Sequence, residues 1–309
     1  MEKDKRAGGG APGPYRAGFA AILGRPNAGK STLLNALTGS KLAIVASKPQ
    51  TTRTTIQGVL TTKEAQIVFI DTPGIHKAAN FLNKRMMDAV RAAAASPDLA
   101  LWVVDALAPP RGEDAHALDL LKKTGAPALA VFNKIDALRE KPKLLELIAR
   151  YRAMHDFAAY VPVSARKGDG LEELKREIMA RLPEGPPLYP EDYLTDQPER
   201  FLAAEILREK ILHFTKQEVP HAAAVAIDQW KEEGRLLRIA ATIYVERPGQ
   251  KAIVIGAGGA ALKKIGTEAR QELERIFERK VFLETLVKVQ PGWRDRPEFL
   301  PLADWRSVK

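Results

Sequence analysis

Five short apolar runs, at 18–23, 67–70, 99–104, 128–132 and 160–163, punctuate the first 180 residues of the chain, and none alternates between apolar and polar positions. Continuous apolar runs of this length, bounded by turn residues, are the pattern of strands buried on both faces. They predict strands near 18–24, 66–71, 99–105, 127–133 and 159–164, with helices between them near 30, 80, 113, 141 and 170. Strands and helices in alternation imply an α/β fold, a mostly parallel sheet with helices on both faces, and place a ligand at the C-terminal ends of the strands.

The pattern stops at a span from Leu182 to Pro190 that holds four prolines, a stiff linker by composition. Beyond it the order changes to a helix over 199–213, strands over 222–229 and 235–244, two helices around a glycine turn, and a last strand over 281–289. The expected organisation is a disordered leader over 1–17, an α/β domain over 18–182, a linker over 183–198, an α+β domain over 199–291 and a tail over 292–309.

Composition narrows the chemistry. At 309 residues, 45% hydrophobic and 28% charged, the chain has room for two globular domains. It has no cysteine, which excludes disulfides, thiolate metal sites and thiol catalysis. Its five histidines, at 76, 116, 155, 213 and 221, show no metal-ligand spacing; His76 adjoins a turn discussed below, and a structural role is favoured for it. No apolar stretch is long enough to span a membrane and no hydrophobic signal region opens the chain, so the reading is cytoplasmic, with peripheral association at the inner face of the cell membrane left open. A net charge of +10 favours polyanionic partners, but from residue 198 onward 20 basic residues face 16 acidic ones and the excess is spread out. Charge alone therefore supports nucleic-acid binding only weakly.

Local motifs say more. Residues 24–32, Gly24, Arg25, Pro26, Asn27, Ala28, Gly29, Lys30, Ser31 and Thr32, contain G-x-x-x-x-G-K-[ST] between a predicted strand and a predicted helix. In that context the glycines let backbone N–H groups curl around phosphate, Lys30 reaches the β and γ phosphates, and the Ser31 hydroxyl is a Mg²⁺ ligand. The second strand ends in Asp71, Thr72, Pro73 and Gly74, followed by Ile75: a carboxylate to hold Mg²⁺ through water and a glycine N–H to sense a γ-phosphate. Asn133, Lys134, Ile135 and Asp136 resemble the guanine-reading NKxD motif, in which the carboxylate of Asp136 accepts from guanine N1–H and the 2-amino group. Ser164, Ala165 and Arg166 resemble the fifth motif of GTPases, in which the Ala165 N–H donates to guanine O6. One such turn is an ordinary strand end; four in register after four strands read as a GTP site.

Residues 47–55, SKPQTTRTT, form a polar loop before the second motif. By resemblance to other TTR sequences Thr52 is the threonine that closes over Mg²⁺ and the γ-phosphate, with Thr51 the alternative. Position 75, where Ras-like enzymes carry a water-orienting glutamine, is Ile75, which cannot orient water. Asn27 is the candidate to compensate: in related GTPases with this asparagine a K⁺ ion beside the phosphates supplies the positive charge. The catalytic set is then Asn27, Lys30, Thr52 and Gly74, and the metal set Ser31, Thr52 and Asp71.

In the second domain Gly256, Ala257, Gly258 and Gly259 stand between two predicted helices. Together with the element order αββααβ this resembles a type II KH domain, whose GXXG loop clamps about four nucleotides of single-stranded backbone. Flanking Lys251, Lys263 and Lys264 supply charge.

A GTPase domain with this switch loop, joined by a proline-rich linker to a KH domain, resembles the bacterial Era GTPases over roughly residues 18–291. The likeness includes Tyr189, Pro190, Glu191 and Asp192, then Leu194, Thr195 and Asp196, then Pro198 to Phe201. It implies a monomeric GTP-hydrolysing assembly factor that uses GTP/GDP and Mg²⁺, binds the 3′ end of 16S rRNA and helps the 30S subunit mature, with GTP gating RNA binding. Two departures stand out: Ala257 replaces the usual lysine of the GXXG loop, and the tail after Trp293, Arg294 and Asp295 lacks the usual leucine-rich ending. A TTR-type GTPase of tRNA modification and a membrane-associated signalling GTPase whose C-terminal domain binds protein remain alternatives.

Overall fold

The structure, a computed structural model, describes residues 14–48, 50–75, 80–110, 114, 118–119, 121–122, 125–215 and 219–307. His76, His116 and much of the helix expected near 113 lie outside the described residues. The first domain is a six-stranded sheet of β1 (Arg16–Gly24), β2 (Ile56–Thr61), β3 (Ala65–Asp71), β4 (Leu99–Asp105), β5 (Ala128–Asn133) and β6 (Ala159–Pro162), in the order β2-β3-β1-β4-β5-β6. Every pairing is parallel except that of β2 with β3. Helices α1 (Lys30–Thr38) and α4 (Leu171–Met179) pack on one face through Leu33, Leu37, Leu174 and Ile178. On the other face α2 (Phe81–Ala94) and α3 (Lys141–Met154) bury Val90, Leu147 and Tyr151. Buried on both faces, β4 and β5 carry continuous apolar runs for the reason read from the sequence.

Two features differ from expectation. The first strand begins at Arg16, inside the expected leader, because Arg16 pairs with Ala65 and its guanidinium reaches the Leu182 carbonyl at 2.6 Å. An antiparallel edge strand, β2, was not foreseen; its Gly58 sits where a Cβ would approach the Cδ1 atoms of Leu34 and Leu42 to 2.8 Å, so a larger residue there would push those side chains aside.

The linker runs along that edge. Its Leu194 carbonyl accepts from the Val59 N–H, Thr195 donates to the Gln57 carbonyl, and the Gln66 side chain bonds the backbone of Leu188 and Tyr189. Proline content and this stitching both stiffen it, and the stitching covers the exposed edge of β2.

The second domain has the order α5 (Glu199–Phe214), a single turn α6 (Val219–Ala222), β7 (Ala224–Glu233), β8 (Leu236–Val245), α7 (Pro248–Ile255), α8 (Ala260–Phe277) and β9 (Lys280–Val289). The sheet order is β7-β8-β9, the first pair antiparallel and the second parallel. Among the described residues the turn α6 and a 3₁₀ turn at Ala257–Gly259 are added to the expected αββααβ, and β7 begins at Ala224 where 222 was expected.

The tail is ordered as three short 3₁₀ turns, Trp293–Asp295, Pro297–Leu302 and Trp305–Ser307. Trp293 is buried with Leu82 and Met86 of α2 and Ala224 of β7, so the tail packs into both domains at once. Its Asp304 accepts from Thr54, and Arg306 donates to the Thr55 carbonyl. Among the described residues no helix is long and apolar enough to cross a membrane.

Candidate functional site

The order of strands reverses around β1, and the loop after it, residues 25–29, lies in the crevice this opens. Two glycines make the loop possible. Gly24 has φ of 143° and a Cβ there would meet the Val103 carbonyl oxygen at 2.4 Å; Gly29 has φ of 94° and a Cβ there would lie 2.2 Å from Asn133 Nδ2. The pocket above the loop is lined by Pro26, Asn27, Gly29, Lys30, Ser31 and Thr32, by Gly74, and by Thr51 and Thr52 of the switch loop. Lys48 and Gln50 of the same loop complete that wall, and sequence reading missed Ile44, Val45 and Ala46 beside them; the apolar trio after α1 was the available signal.

Three oxygens converge at its base. Ser31 Oγ lies 2.7 Å from Thr52 Oγ1 and donates to Asp71 Oδ2 at 2.6 Å. The other carboxylate oxygen, Asp71 Oδ1, is buried without a hydrogen-bond partner. Two hydroxyls and a carboxylate with an unsatisfied buried oxygen fit the oxygen-only preference of Mg²⁺. Thr51, by contrast, donates to the Lys48 carbonyl of its own loop at 2.6 Å. Burial pushes the Asp71 carboxyl up to about 6, with Lys30 acting the other way, and burial pushes the Lys30 ammonium down to about 8 against the opposing pull of Asp71. Lys30 is satisfied by the Gly24 and Arg25 carbonyls at 3.2 and 3.1 Å.

The turn after β3 is pinned by Thr72, which donates to the Ile22 carbonyl, while Ile75 donates its N–H to Gly24 and packs against the core. Pro73 is buried between them. A Cβ on Gly74 would stand 2.7 Å from Pro26, so glycine is what lets this turn close on the loop. Asn27, with φ of 62°, donates its side-chain amide to the Ser47 carbonyl at 3.2 Å and so touches the switch loop. The Arg25 side chain turns away from the pocket into an ion pair with Asp114 at 2.9 Å, leaving only its backbone to the loop.

Asn133 joins three segments. Its Nδ2 donates to the Ala28 carbonyl at 3.0 Å, and its Oδ1 accepts from the N–H groups of Lys134 and Ala165 at 2.8 and 3.0 Å. The Ala165 N–H expected to face a base thus already has an intramolecular acceptor. Lys134, with φ of 70°, spans from the Asn27 carbonyl to Asp105 Oδ2 at the end of β4, a carboxylate that lies outside the sequence motifs. Asp136 accepts from Ser164 Oγ at 2.8 Å, which aims the carboxylate over the same crevice edge. These contacts tie the segments around Asn133 and Asp136 together.

In the second domain Gly256, Gly258 and Gly259 have φ of 73°, 56° and 82°. A Cβ on Gly256 would meet Ala261, whereas Gly258 and Gly259 open onto free space. The corner presents the start of α8 to solvent beside exposed Ala257, Lys263 and Lys264 and half-buried Lys251. Lys264 Nζ lies 4.7 Å above the Phe214 ring. Nucleic-acid phosphate can approach backbone N–H groups at this corner with no side chain intervening.

Comparison with known proteins agrees with both halves. Residues 19–134 match a family described as 50S ribosome-binding GTPase, and residues 218–294 match the KH domain. GTPase Era of Geobacter metallireducens is 49% identical over 289 residues, 93% of this chain and 97% of the relative; GTPase Era of Ruminiclostridium cellulolyticum is 45% identical over 96% and 99%. Aquifex aeolicus Era bound to GDP and AlF4⁻ superposes with a TM-score of 0.90 at 42% identity, covering 94% of this chain and 99% of that one. An Era complex with MgGDPNP and nucleotides 1506–1542 of 16S ribosomal RNA superposes with a TM-score of 0.91 at the same identity and coverage. With a G domain and a KH domain in this order, and such likeness over nearly its whole length, the chain is a GTPase and belongs to the Era family.

Proposed function

We propose that the chain binds the 3′ end of 16S rRNA through its KH domain, in a manner governed by the nucleotide in the G domain, and that this serves maturation of the 30S subunit. The observation that carries the reading is the presence, in one chain, of the Ser31, Thr52 and Asp71 cluster and the open glycine corner at Gly258 and Gly259. The Era structure with GDPNP, Mg and a 16S rRNA fragment pairs the same two kinds of site.

In this reading Lys30 and the loop N–H groups bind the β and γ phosphates, Gly74 senses the γ-phosphate, and Asp136 selects guanine. Ser31, Thr52 and Asp71 hold Mg²⁺, Thr52 and not Thr51 because its hydroxyl already meets Ser31. When bound, the ion neutralises charge on the phosphate oxygens. Ile75 gives no purchase on water, so stabilisation of the developing charge falls to other groups; Asn27, which bonds the Ser47 carbonyl, is the residue that would help hold a K⁺ ion supplying that charge. At the KH corner the missing lysine at Ala257 removes one phosphate contact and with it part of the salt dependence.

The test is the affinity of the full chain for a single-stranded oligonucleotide of the 16S rRNA 3′ end, with a GTP analogue and with GDP. Tighter binding in the GTP form is expected, lost in Gly258→Asp with Gly259→Asp, where two carboxylates confront phosphate. An Ala257→Lys variant should bind more tightly at low salt above all. Affinity indifferent to nucleotide and to the aspartates would refute the reading and turn attention to a protein partner.

A further inference from the structure

The loop between α1 and β2 supplies Thr52, yet much of what fixes its backbone comes from the other domain. Three bonds to it arise on α5 alone: Glu209 Oε1 accepts from the Val45 N–H at 2.6 Å, His213 Nε2 meets the Val45 carbonyl at 3.0 Å, and Arg208 donates to the Thr51 carbonyl. The last contact has a direct geometric meaning. The Thr51 carbonyl belongs to the peptide plane that also holds the Thr52 nitrogen, so clamping it orients Thr52, whose hydroxyl stands 2.7 Å from Ser31. Val45, held by Glu209, is part of the pocket wall.

The anchors are built to stay put. Both Arg208 and Glu209 are only 1% exposed. Arg208 is forked onto Glu205 through Nε and a terminal nitrogen, each at 2.6 Å. Glu209 accepts from Lys41 at 2.8 and 2.9 Å and from Lys210 at 3.1 Å. Lys41 and Lys210 both continue to Glu272 of α8. Burial opposes the charge on Glu272, but the two lysines hold its carboxyl below the ordinary value. Two lysines and two carboxylates form the buried part of a cluster that Arg275 joins at its exposed rim, and a buried cluster of fixed geometry costs the loop little further ordering.

We propose that Arg208 and Glu209, residues of the KH domain, are positioning residues for GTP hydrolysis: they set the switch loop so that Thr52 completes the Mg²⁺ site. This rests on the role given to Thr52 above. Neither residue reaches the nucleotide pocket; both act through backbone atoms of Thr51 and Val45. The G domain is then incomplete as a hydrolytic unit without the helix that opens the second domain.

The experiment measures GTP hydrolysis against Mg²⁺ concentration, together with GDP affinity and thermal unfolding, for the full chain and its Thr52→Ala, Glu209→Ala, Glu209→Gln and Arg208→Lys variants. Glu209→Ala is expected to need about tenfold more Mg²⁺ for half-maximal rate and to lose about tenfold in kcat, the scale of one hydrogen bond to a charged group. GDP affinity should stay within about twofold, the variation expected where no direct contact changes. Glu209→Gln keeps an acceptor for Val45 and should recover most of the loss. Arg208→Lys keeps Glu205 paired but gives up the fork, and should shift the Mg²⁺ requirement in the same direction as Glu209→Ala. Arg208→Lys reports the same quantity if the alanine variant does not fold. A fall in kcat at an unchanged Mg²⁺ requirement is what loss of folded protein produces, and would overturn the inference. So would wild-type behaviour of all three α5 variants while Thr52→Ala shifts the requirement. If Thr52→Ala itself leaves the requirement unchanged, the role of Thr52 falls first and this inference with it.

Discussion

Asn133 offers a quantitative test of how the nucleotide site is held together. It is 2% exposed and makes three bonds to three segments: the phosphate loop at Ala28, its own motif at Lys134 and the fifth motif at Ala165. Asn133→Ala strands the Ala28 carbonyl and the Ala165 N–H in buried surroundings, while the Lys134 N–H is less deeply placed and water can serve it. At about 1–3 kcal/mol for each stranded buried group, the two cost about 2–6 kcal/mol. That is a large share of the roughly 5–15 kcal/mol that holds a typical domain together. For a domain of this size the loss should lower the melting temperature by about 4 °C or more.

Thermal unfolding of the full chain, with and without GDP, is the assay. GDP should rescue less of the loss than mass action predicts from the wild type, because the variant also binds it more weakly. Asn133→Asp refines the test: it keeps the acceptor for Lys134 and Ala165 but sets a carboxylate against the Ala28 carbonyl, so the tether to the phosphate loop is replaced by a repulsion while the other two bonds remain. Gly29→Ala adds an independent check, since its Cβ would fall 2.2 Å from Asn133 Nδ2. Part of its cost should vanish in the Asn133→Ala background, where that clash is gone; the remainder is backbone strain at a φ of 94°. A melting temperature for Asn133→Ala within about 1 °C of wild type would mean that the three contacts do not bear on stability as argued.

Three further outcomes are expected. Asp136→Asn should exchange preference for GTP for preference for xanthosine triphosphate, whose 2-oxo group suits an amide donor; equal wild-type affinity for ATP and GTP would contradict the role of Asp136. Hydrolysis should be slow in Na⁺ and faster in K⁺, with Asn27→Ala abolishing the difference, and rates indifferent to the cation would leave Asn27 a shaping residue of the loop. Burial depresses Lys30 to about 8, so in the free protein it loses its proton as pH rises through that value, and its contribution to stability improves between there and its ordinary value of 10.5. Nucleotide phosphate favours the charged amine, so GDP binding near pH 9 should take up a proton; calorimetry in buffers of different ionisation enthalpy reads this directly, and no uptake would contradict the assignment.

The G-domain motifs were legible because each is a local solution to a local problem. A loop that must pass the Val103 carbonyl and Asn133 at contact distance needs Gly24 and Gly29, and a turn that closes on Pro26 needs Gly74, whatever the rest of the chain does. The glycine corner at Gly256 to Gly259 is visible for the same reason. Edge strand β2 was hidden because Gly58 breaks its apolar pattern, and the close approach of Leu34 and Leu42 that favours a glycine there is something no periodicity reports.

Contacts between the domains were hidden more deeply. Along α5 Glu205, Arg208, Glu209 and Lys210 are all buried although charged, because they pair with one another and with Thr51, Lys41 and Glu272 from elsewhere in the chain. Arg53 gives the same lesson inside a recognised motif. It was read as part of a switch signature; its guanidinium donates to the Ala223 carbonyl and lies 5.4 Å from the centre of the Trp293 ring, and burial with Arg208 nearby pushes it below its ordinary value. The tail that supplies Trp293 has no periodic pattern to announce it, only an aromatic among prolines and charges. A charged residue in a helix is therefore evidence of solvent only until the other half of its ion pair is placed. Here Lys41 and the Thr51 carbonyl come from the loop between α1 and β2 and Glu272 from α8, so the contacts hardest to read in the sequence include those that join the nucleotide site to the RNA-binding domain.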